Sequence, residues 1–167
     1  DHDTVLAAIQ AAETGHLVFG SMHTADTMQA FARILEFFPS HEHGFLRHSL
    51  SNTLRAVFAQ RLLPAVPNFA GEKGGGSGVV PACEVLIGTS TVREKIREGE
   101  DNDLPMIISR NEEGMQSFTH ALADLVRKDW VTLQTAMEYA PNRDALSSVL
   151  KGVEVKAQGL VSRIKSR

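Results

Sequence analysis

Apolar residues recur at Val5, Leu6, Ala8, Ile9 and Ala12 along DTVLAAIQAAETG, a spacing that lines one face of a helix. Asp3 or Thr4 supplies its N-cap, and Gly15 suits the left-handed position just past a helix end. The pattern then changes. HLVFGSM, residues 16–22, is a nearly continuous apolar run beside that glycine, which predicts a strand buried on both faces and therefore parallel. A helix feeding such a strand is half of a βαβ unit. Thr24 or Asp26 caps the next predicted helix, TMQAFARILEFF, which Pro39 closes, and a third helix is predicted from His43 to Gln60. These two amphipathic helices are expected to cover the sheet.

RLLPAV and GVVPACEVLIG read as strands on either side of GEKGGGSG, Gly71 to Gly78. That stretch lacks the Lys-Ser/Thr ending of a Walker A loop and the spacing of GxGxxG, so it is read as a flexible hairpin connection. TSTVREKIREGE predicts a short helix capped by Thr89 or Ser90, and DLPMIISRNEE and GMQSFTHALADLVRKDWV predict two more. TLQTAMEYA and NRDALSSVL complete a helical C-terminal subregion. The tail, residues 152–167, carries Lys156, Arg163, Lys165 and Arg167 and is expected to fray.

With 167 residues, 43% of them hydrophobic and 22% charged, the chain has enough apolar material for one core and none of the signature of disorder. Its net charge of −3 provides no global basic field, so nucleic acid is not an expected partner and any anion site must be local. The single cysteine, Cys83, excludes an intrachain disulfide framework and a cysteine-rich zinc module, which fits a reducing compartment. No apolar run approaches the roughly 20 residues that cross a bilayer. The opening DHDTVL lacks a basic leader and an initiating Met. The chain is therefore expected to be a segment of a longer cytoplasmic protein.

Two polar residues, His23 and Thr24, end the apolar run. In an open parallel sheet, ligands bind beyond the carboxyl ends of strands, where loops and helix N-termini converge. An imidazole there can donate to a phosphate oxygen or orient a water, aided by the free N–H groups of the helix starting near Asp26. Residue chemistry alone equally allows a satisfied rim histidine beside an N-cap threonine. His41, Glu42, His43 and His48 lack the spacing of HExxH, so a solvent-facing turn is expected rather than a metal site. Glu13 reads as a structural or interface residue, Met106, Met115 and Met137 as core filler, and Cys83 as an inert thiol.

AAETGHLVFGSMHTAD, followed by RILEFFPS, SLSNTLRAVFAQRLLP, ACEVLIGTSTVREKIREG, SRNEEGMQSFTHALADLVRKDWVT and AMEYAPNRDAL, resembles the twitching-motility retraction ATPases, the PilT-like secretion ATPases that power type IV pili. The resemblance covers nearly the whole chain except the glycine-rich loop and the tail. It implies an α/β fold, the second half of a RecA-like P-loop ATPase core at residues 1–88, followed by a helical subregion at 89–151 and a basic tail at 152–167. HLVFGSMHT corresponds to the family's His box, whose histidine lies near the nucleotide γ-phosphate. That role carries over to His23, with Thr24 beside it. STVREKIRE resembles the family's AIRNLIRE element, associated with retraction; Arg93, Ile96, Arg97 and Glu98 match, while Glu94 and Lys95 replace an Asn and a Leu. Arg93 and Arg97 stand at i and i+4, and Glu94 and Glu98 are expected to pair with them within the helix. Asp129 and Trp130 also depart from the family pattern, which suggests local repacking.

The family's Walker A loop, Asp box and Walker B carboxylates precede its His box, so the resemblance implies that Asp1 begins just past Walker B. ATP and Mg2+ are then cofactors of the intact protein, none is expected on this chain, and the chain alone is expected to be inactive. The resemblance further implies a homohexameric ring, pilus-base proteins of the inner membrane as partners, and a cytoplasmic position peripheral to that membrane. A type II secretion or pilus-assembly ATPase is the nearest alternative. Those commonly insert a tetracysteine zinc module after the QRLL strand, where this chain has only Cys83. A non-enzymatic module docking on pilus-base proteins through residues 93–98 is a third reading.

Overall fold

The structure is a computed structural model and describes residues 1–67 and 78–152. The glycine-rich residues 71–77 and the tail from 153 onward lie outside the described residues. In chain order the elements are α1 (His2–Glu13), α2 (Thr27–Glu36), α3 (His43–Thr53), β1 (Ala56–Pro64), β2 (Val79–Ile87), α4 (Ser90–Glu98), α5 (Leu104–Ser109), α6 (Phe118–Arg127), α7 (Leu133–Tyr139) and α8 (143–152). Single 3-10 turns at Ser40–Glu42 and Asp101–Asp103 precede α3 and α5. Among the described residues no helix is long and apolar enough to cross a membrane.

The fold is mixed α/β, as expected, but its described sheet differs from the one the sequence predicts. Residues 16–22 form no strand. They run extended and solvent-facing, with Leu17 73% and Phe19 87% exposed, because a strand is stabilised by its neighbours and no described strand lies beside this one. The sheet consists of β1 and β2. Gly88 donates to the Arg55 carbonyl and Ala65 to that of Gly78, so the two strands are antiparallel. The third helix stops at Thr53, and residues 56–60, predicted helical, belong to β1. Val57, Ala59 and Leu63 fall on the more buried side of this strand, while Phe58 and Leu62 face solvent. Pairing with β2 thus overrides a helical periodicity that had matched by coincidence.

Caps follow the local chemistry. Asp1, rather than Asp3 or Thr4, caps α1 by accepting from the Thr4 amide at 2.9 Å. Gly15 takes the left-handed conformation (φ 93°) just beyond that helix. Asp26, not Thr24, caps α2, and Thr89 caps α4. Gly99 (φ 79°) ends α4 in the left-handed region, where a side chain would be strained.

The described residues divide into two compact units: residues 1–60 with 83–117, and residues 61–67 and 78–82 with 118–152. Residues 88 and 89 both lie in the first. Its core gathers Ile9 from α1, Phe31 from α2, Leu46 and Leu50 from α3, Leu86 from β2, and Val92 and Ile96 from α4. Each such side chain withdrawn from water is worth about 1.5–3 kcal/mol. Met115 belongs to this core as expected, whereas Met106 is 59% exposed and fills nothing. In the second unit, Leu63, Phe118, Leu122, Val131, Ala136 and Leu146 are buried. There the Arg61 guanidinium sits 4.3 Å from the centre of the Phe118 ring and donates to the Tyr139 carbonyl.

Polar ties fix the helices of the first unit. Arg47 on α3 grips Asp101 with two parallel bonds of 2.6 Å and also donates to the Ile96 carbonyl at the end of α4. Ser49 donates to Glu13 at 2.6 Å, joining α3 to α1 and giving Glu13 its structural role. Where β2 leaves the sheet, a Cβ on Gly88 would fall on the Leu54 carbonyl oxygen, so only glycine fits this crossing. At the first turn of α1, His2 bonds Asp3 at 2.9 Å and Glu42 at 3.4 Å and tilts against Phe38. Those two hydrogen bonds, Asp3 first, raise its pKa above the ordinary 6.5.

Two outcomes are expected. Asp101→Ala should cost about 2 kcal/mol, between the exposed and buried ion-pair ranges, and Arg47→Lys, which keeps charge but loses the fork, should cost less; urea unfolding midpoints measure both. Because folding raises the His2 pKa, its contribution is complete below pH 6.5 and lost as pH climbs through the folded value. An NMR titration should place the His2 midpoint above 6.5, with Asp3→Asn and Glu42→Gln each moving it back toward that value.

Candidate functional site

His23 and Thr24 close the extended segment that leads into α2. Together with Ser21 and Met22 they form one wall of an open cleft of about 550 Å3. The opposite wall is the polar face of α2, with Gln29, Arg33 and Glu36. Gln29 and Arg33 are one turn apart, so both project to the side on which His23 lies. Arg33 is paired with Glu36 at 2.6 Å and lies 5.3 Å from the centre of the Phe37 ring. Both partners of the pair are more than half exposed, so solvent screens it and an incoming anion can compete for the guanidinium. His23 is exposed, and among the described residues none takes a hydrogen bond to the side chain of His23 or Thr24.

One element of the expected chemistry is corrected. The start of α2 is already partly occupied: Gln29 N–H donates to Asp26 at 2.8 Å, and Thr27 N–H and hydroxyl donate to Glu84 on β2 at 3.1 and 2.7 Å. Two carboxylates already neutralise the positive end of this helix. Attraction for an anion therefore falls mainly on the side chains of His23, Thr24, Gln29 and Arg33, of which the Gln29 amide already donates to Asp26 at 3.2 Å and Arg33 to Glu36. All four are hydrogen-bond donors and suit the oxygens of a phosphoryl group. Among the described residues, no group of three or more His, Cys, Asp or Glu comes together to hold a metal ion.

The stretch STVREKIRE, which resembles the family's AIRNLIRE element, forms α4. Val92 and Ile96 are fully buried beneath it, and Ile96 is thus a core residue. Arg93 Nε donates to the Gly88 carbonyl at 2.8 Å, and Arg97 Nε reaches the Ser51 hydroxyl at 3.5 Å. Glu98 is exposed. The pairing expected with Glu94 and Glu98 does not form: among the described residues no carboxylate lies within ion-pair distance of Arg93 or Arg97. Lys95, in place of an apolar residue, instead bridges Glu100 and Asp103, which hold its pKa above the ordinary lysine range.

HEHG is not the solvent-facing turn expected: a 3-10 turn at Ser40–Glu42 runs directly into α3 at His43, and Glu42 and His43 are half-buried. His43 bonds the Phe38 carbonyl, His48 meets Asn52, and Glu42 serves His2. Sequence reasoning missed Glu84 and the α2 wall. Glu84 carried a signal, since a lone carboxylate inside the apolar ACEVLIG must find a donor. Gln29 and Arg33 carried one as well, lying at i and i+4 on the polar stripe of the helix that follows His23.

A family model described as Type II/IV secretion system protein matches residues 1–137. The type IV pilus ATPase PilU of Pseudomonas aeruginosa is 35% identical over 162 residues, 96% of this chain and 40% of that relative. The pilus retraction ATPase PilT of the same organism is 35% identical over 141 residues, 84% and 38% of the two chains. A crystal structure of the pilus retraction motor PilT with bound ADP aligns with a TM-score of 0.71 and 36% identity over 89% of this chain and 39% of that one. The chain thus spans about two fifths of the length of these relatives.

Glu84→Ala should cost about 1–2 kcal/mol by stripping the first turn of α2 of an acceptor. Amide exchange measures this directly: Thr27 should exchange faster while the amides of α3 keep their protection.

Proposed function

The chain belongs to the type II/IV secretion system protein family, and from that premise we propose that it serves in a motor ATPase that retracts type IV pili. The observation that carries the reading is the cleft in which His23 and Thr24 meet the polar face of α2, in a chain 35% identical to a pilus ATPase over 96% of its length. In this reading His23 and Thr24 contact the terminal phosphoryl group of ATP, and Gln29 and Arg33 line the approach. Bound ATP with Mg2+ supplies the phosphoryl group whose hydrolysis powers the motor. The chain's own part is to donate hydrogen bonds to that group and to hold the attacking water in line.

The finer parts of the reading follow the family pattern. The Walker A loop, Asp box and Walker B carboxylates precede the His box there, so residues 1–88 supply the γ-phosphate side of a RecA-like core and residues 89–151 the helical region after it. Turnover then requires both parts, and this chain by itself hydrolyses no ATP. The working assembly is a homohexameric ring in the cytoplasm, held at the inner membrane by pilus-base proteins, and α4 with Arg93, Arg97 and Glu98 serves retraction rather than nucleotide binding.

In the full-length protein, His23→Ala should lower ATP turnover on the order of 10²-fold while sedimentation still reports a ring. Unchanged turnover in an intact ring would remove His23 from the catalytic machinery.

A further inference from the structure

Cations in the first unit divide into two groups. Arg33 is paired with Glu36, Arg47 with Asp101, and Lys95 with Glu100 and Asp103. Arg55, Arg93, Arg97 and Arg110 have no carboxylate within ion-pair distance among the described residues, although acidic residues outnumber basic ones, 20 to 17, in the whole chain. Arg110 stands apart at the end of α5, and the other three are neighbours. The Gly88 amide donates to the Arg55 carbonyl and the Gly88 carbonyl accepts from Arg93, while one turn further along α4 Arg97 reaches Ser51 on α3.

The way the two α4 arginines are held matters more than their number. Each is tied through Nε, Arg93 to a backbone carbonyl and Arg97 to a hydroxyl. Both tethers are uncharged, and among the described residues the terminal nitrogens of Arg93 and Arg97 make no hydrogen bond. Those nitrogens form the edge that grips a carboxylate in two parallel bonds. Arg93, held at 2.8 Å, loses less freedom when a partner arrives, whereas the 3.5 Å contact of exposed Arg97 holds that side chain only loosely. On the opposite side of α4, Val92 and Ile96 are sealed in the core, so the helix cannot roll to hide its arginines.

We propose that the face formed by α4 and the end of α3 docks an extended acidic segment of another polypeptide, with Arg93 and Arg97 gripping alternate carboxylates and Arg55 extending the row. The spacing favours this occupant. Residues at i and i+4 of a helix are separated by about 6 Å along its axis, and alternate side chains of an extended chain by about 6.6 Å. A single phosphate needs donors that converge, and these are laid out in a line. An anionic bilayer would press against exposed Glu94 and Glu98 on the same helix, which a single chain running along the arginine edge avoids. The inference goes beyond the nucleotide reading and stands or falls without it.

The test uses the full-length protein and a fluorescein-labelled (Glu-Ser)4 peptide followed by anisotropy, with (Gln-Ser)4, inorganic phosphate and phosphatidylserine vesicles as comparisons. The acidic peptide should bind, more weakly as salt rises, and the Gln peptide should not. An Arg93→Gln/Arg97→Gln double variant should weaken binding on the order of tenfold. Arg110→Gln, which removes an arginine standing apart on the exposed end of α5, should leave it unchanged. Arg97→Gln alone, at an exposed position with one long hydrogen bond, keeps the test informative if the double variant unfolds; it should lose several-fold affinity with an unaltered melting temperature. Equal binding of both peptides, equal losses at Arg110 and Arg97, displacement of the peptide by millimolar phosphate, or preference for vesicles over peptide would each overturn the proposal.

Discussion

The grip of Arg47 on Asp101 is the interaction on which the first unit turns. It satisfies a half-buried guanidinium with both oxygens of one carboxylate, and the same side chain reaches the last carbonyls of α4 through Ile96. A helix C-terminus leaves carbonyls without intrahelical donors, and here an arginine from a different helix supplies one. α3 and α4 are therefore joined by a geometry that tolerates little sliding, with Gly88 admitting backbone contact at the other end of α4. Apolar burial of Leu46, Val92 and Ile96 provides most of the attraction, and the polar fork fixes the register in which it occurs.

The same economy recurs wherever a backbone group would otherwise be stranded. Glu84 closes the start of α2, Arg47 caps the Ile96 carbonyl, and Arg93 satisfies the Gly88 carbonyl. Among the described residues no buried side-chain nitrogen or oxygen lacks a partner. The donors of the cleft around His23 are held instead by exposed and replaceable bonds, Arg33 by Glu36 at 2.6 Å and the Gln29 amide by Asp26 at 3.2 Å.

Much of the helical architecture was legible because it rests on local chemistry. The cap at Thr89, the left-handed Gly15 and the stripe of α6 all follow from neighbours within one turn. Residues 16–22 and 56–60 were misread for a common reason. Apolar content alone does not separate strand from helix or from an unpaired run, and in both cases the outcome depends on whether a partner strand lies alongside. Ala56 to Gln60 found one in β2, whereas Leu17 to Met22 did not. At the site, the position of His23 and Thr24 beyond the apolar run was readable from residue order. The neutralised start of α2 was not, since it depends on Glu84, 57 residues away.

That separation has a temporal side. A chain leaving the ribosome at about 5–20 residues per second exposes Thr27 roughly 3–11 s before Glu84 emerges. During that interval the first turn of α2 has only Asp26 to hold it, and the wall carrying Gln29 and Arg33 stays frayed. The helix that lines the cleft is completed by the later half of its own unit, so a nascent chain stalled before β2 would present the His23 segment without the surface that turns it into a site.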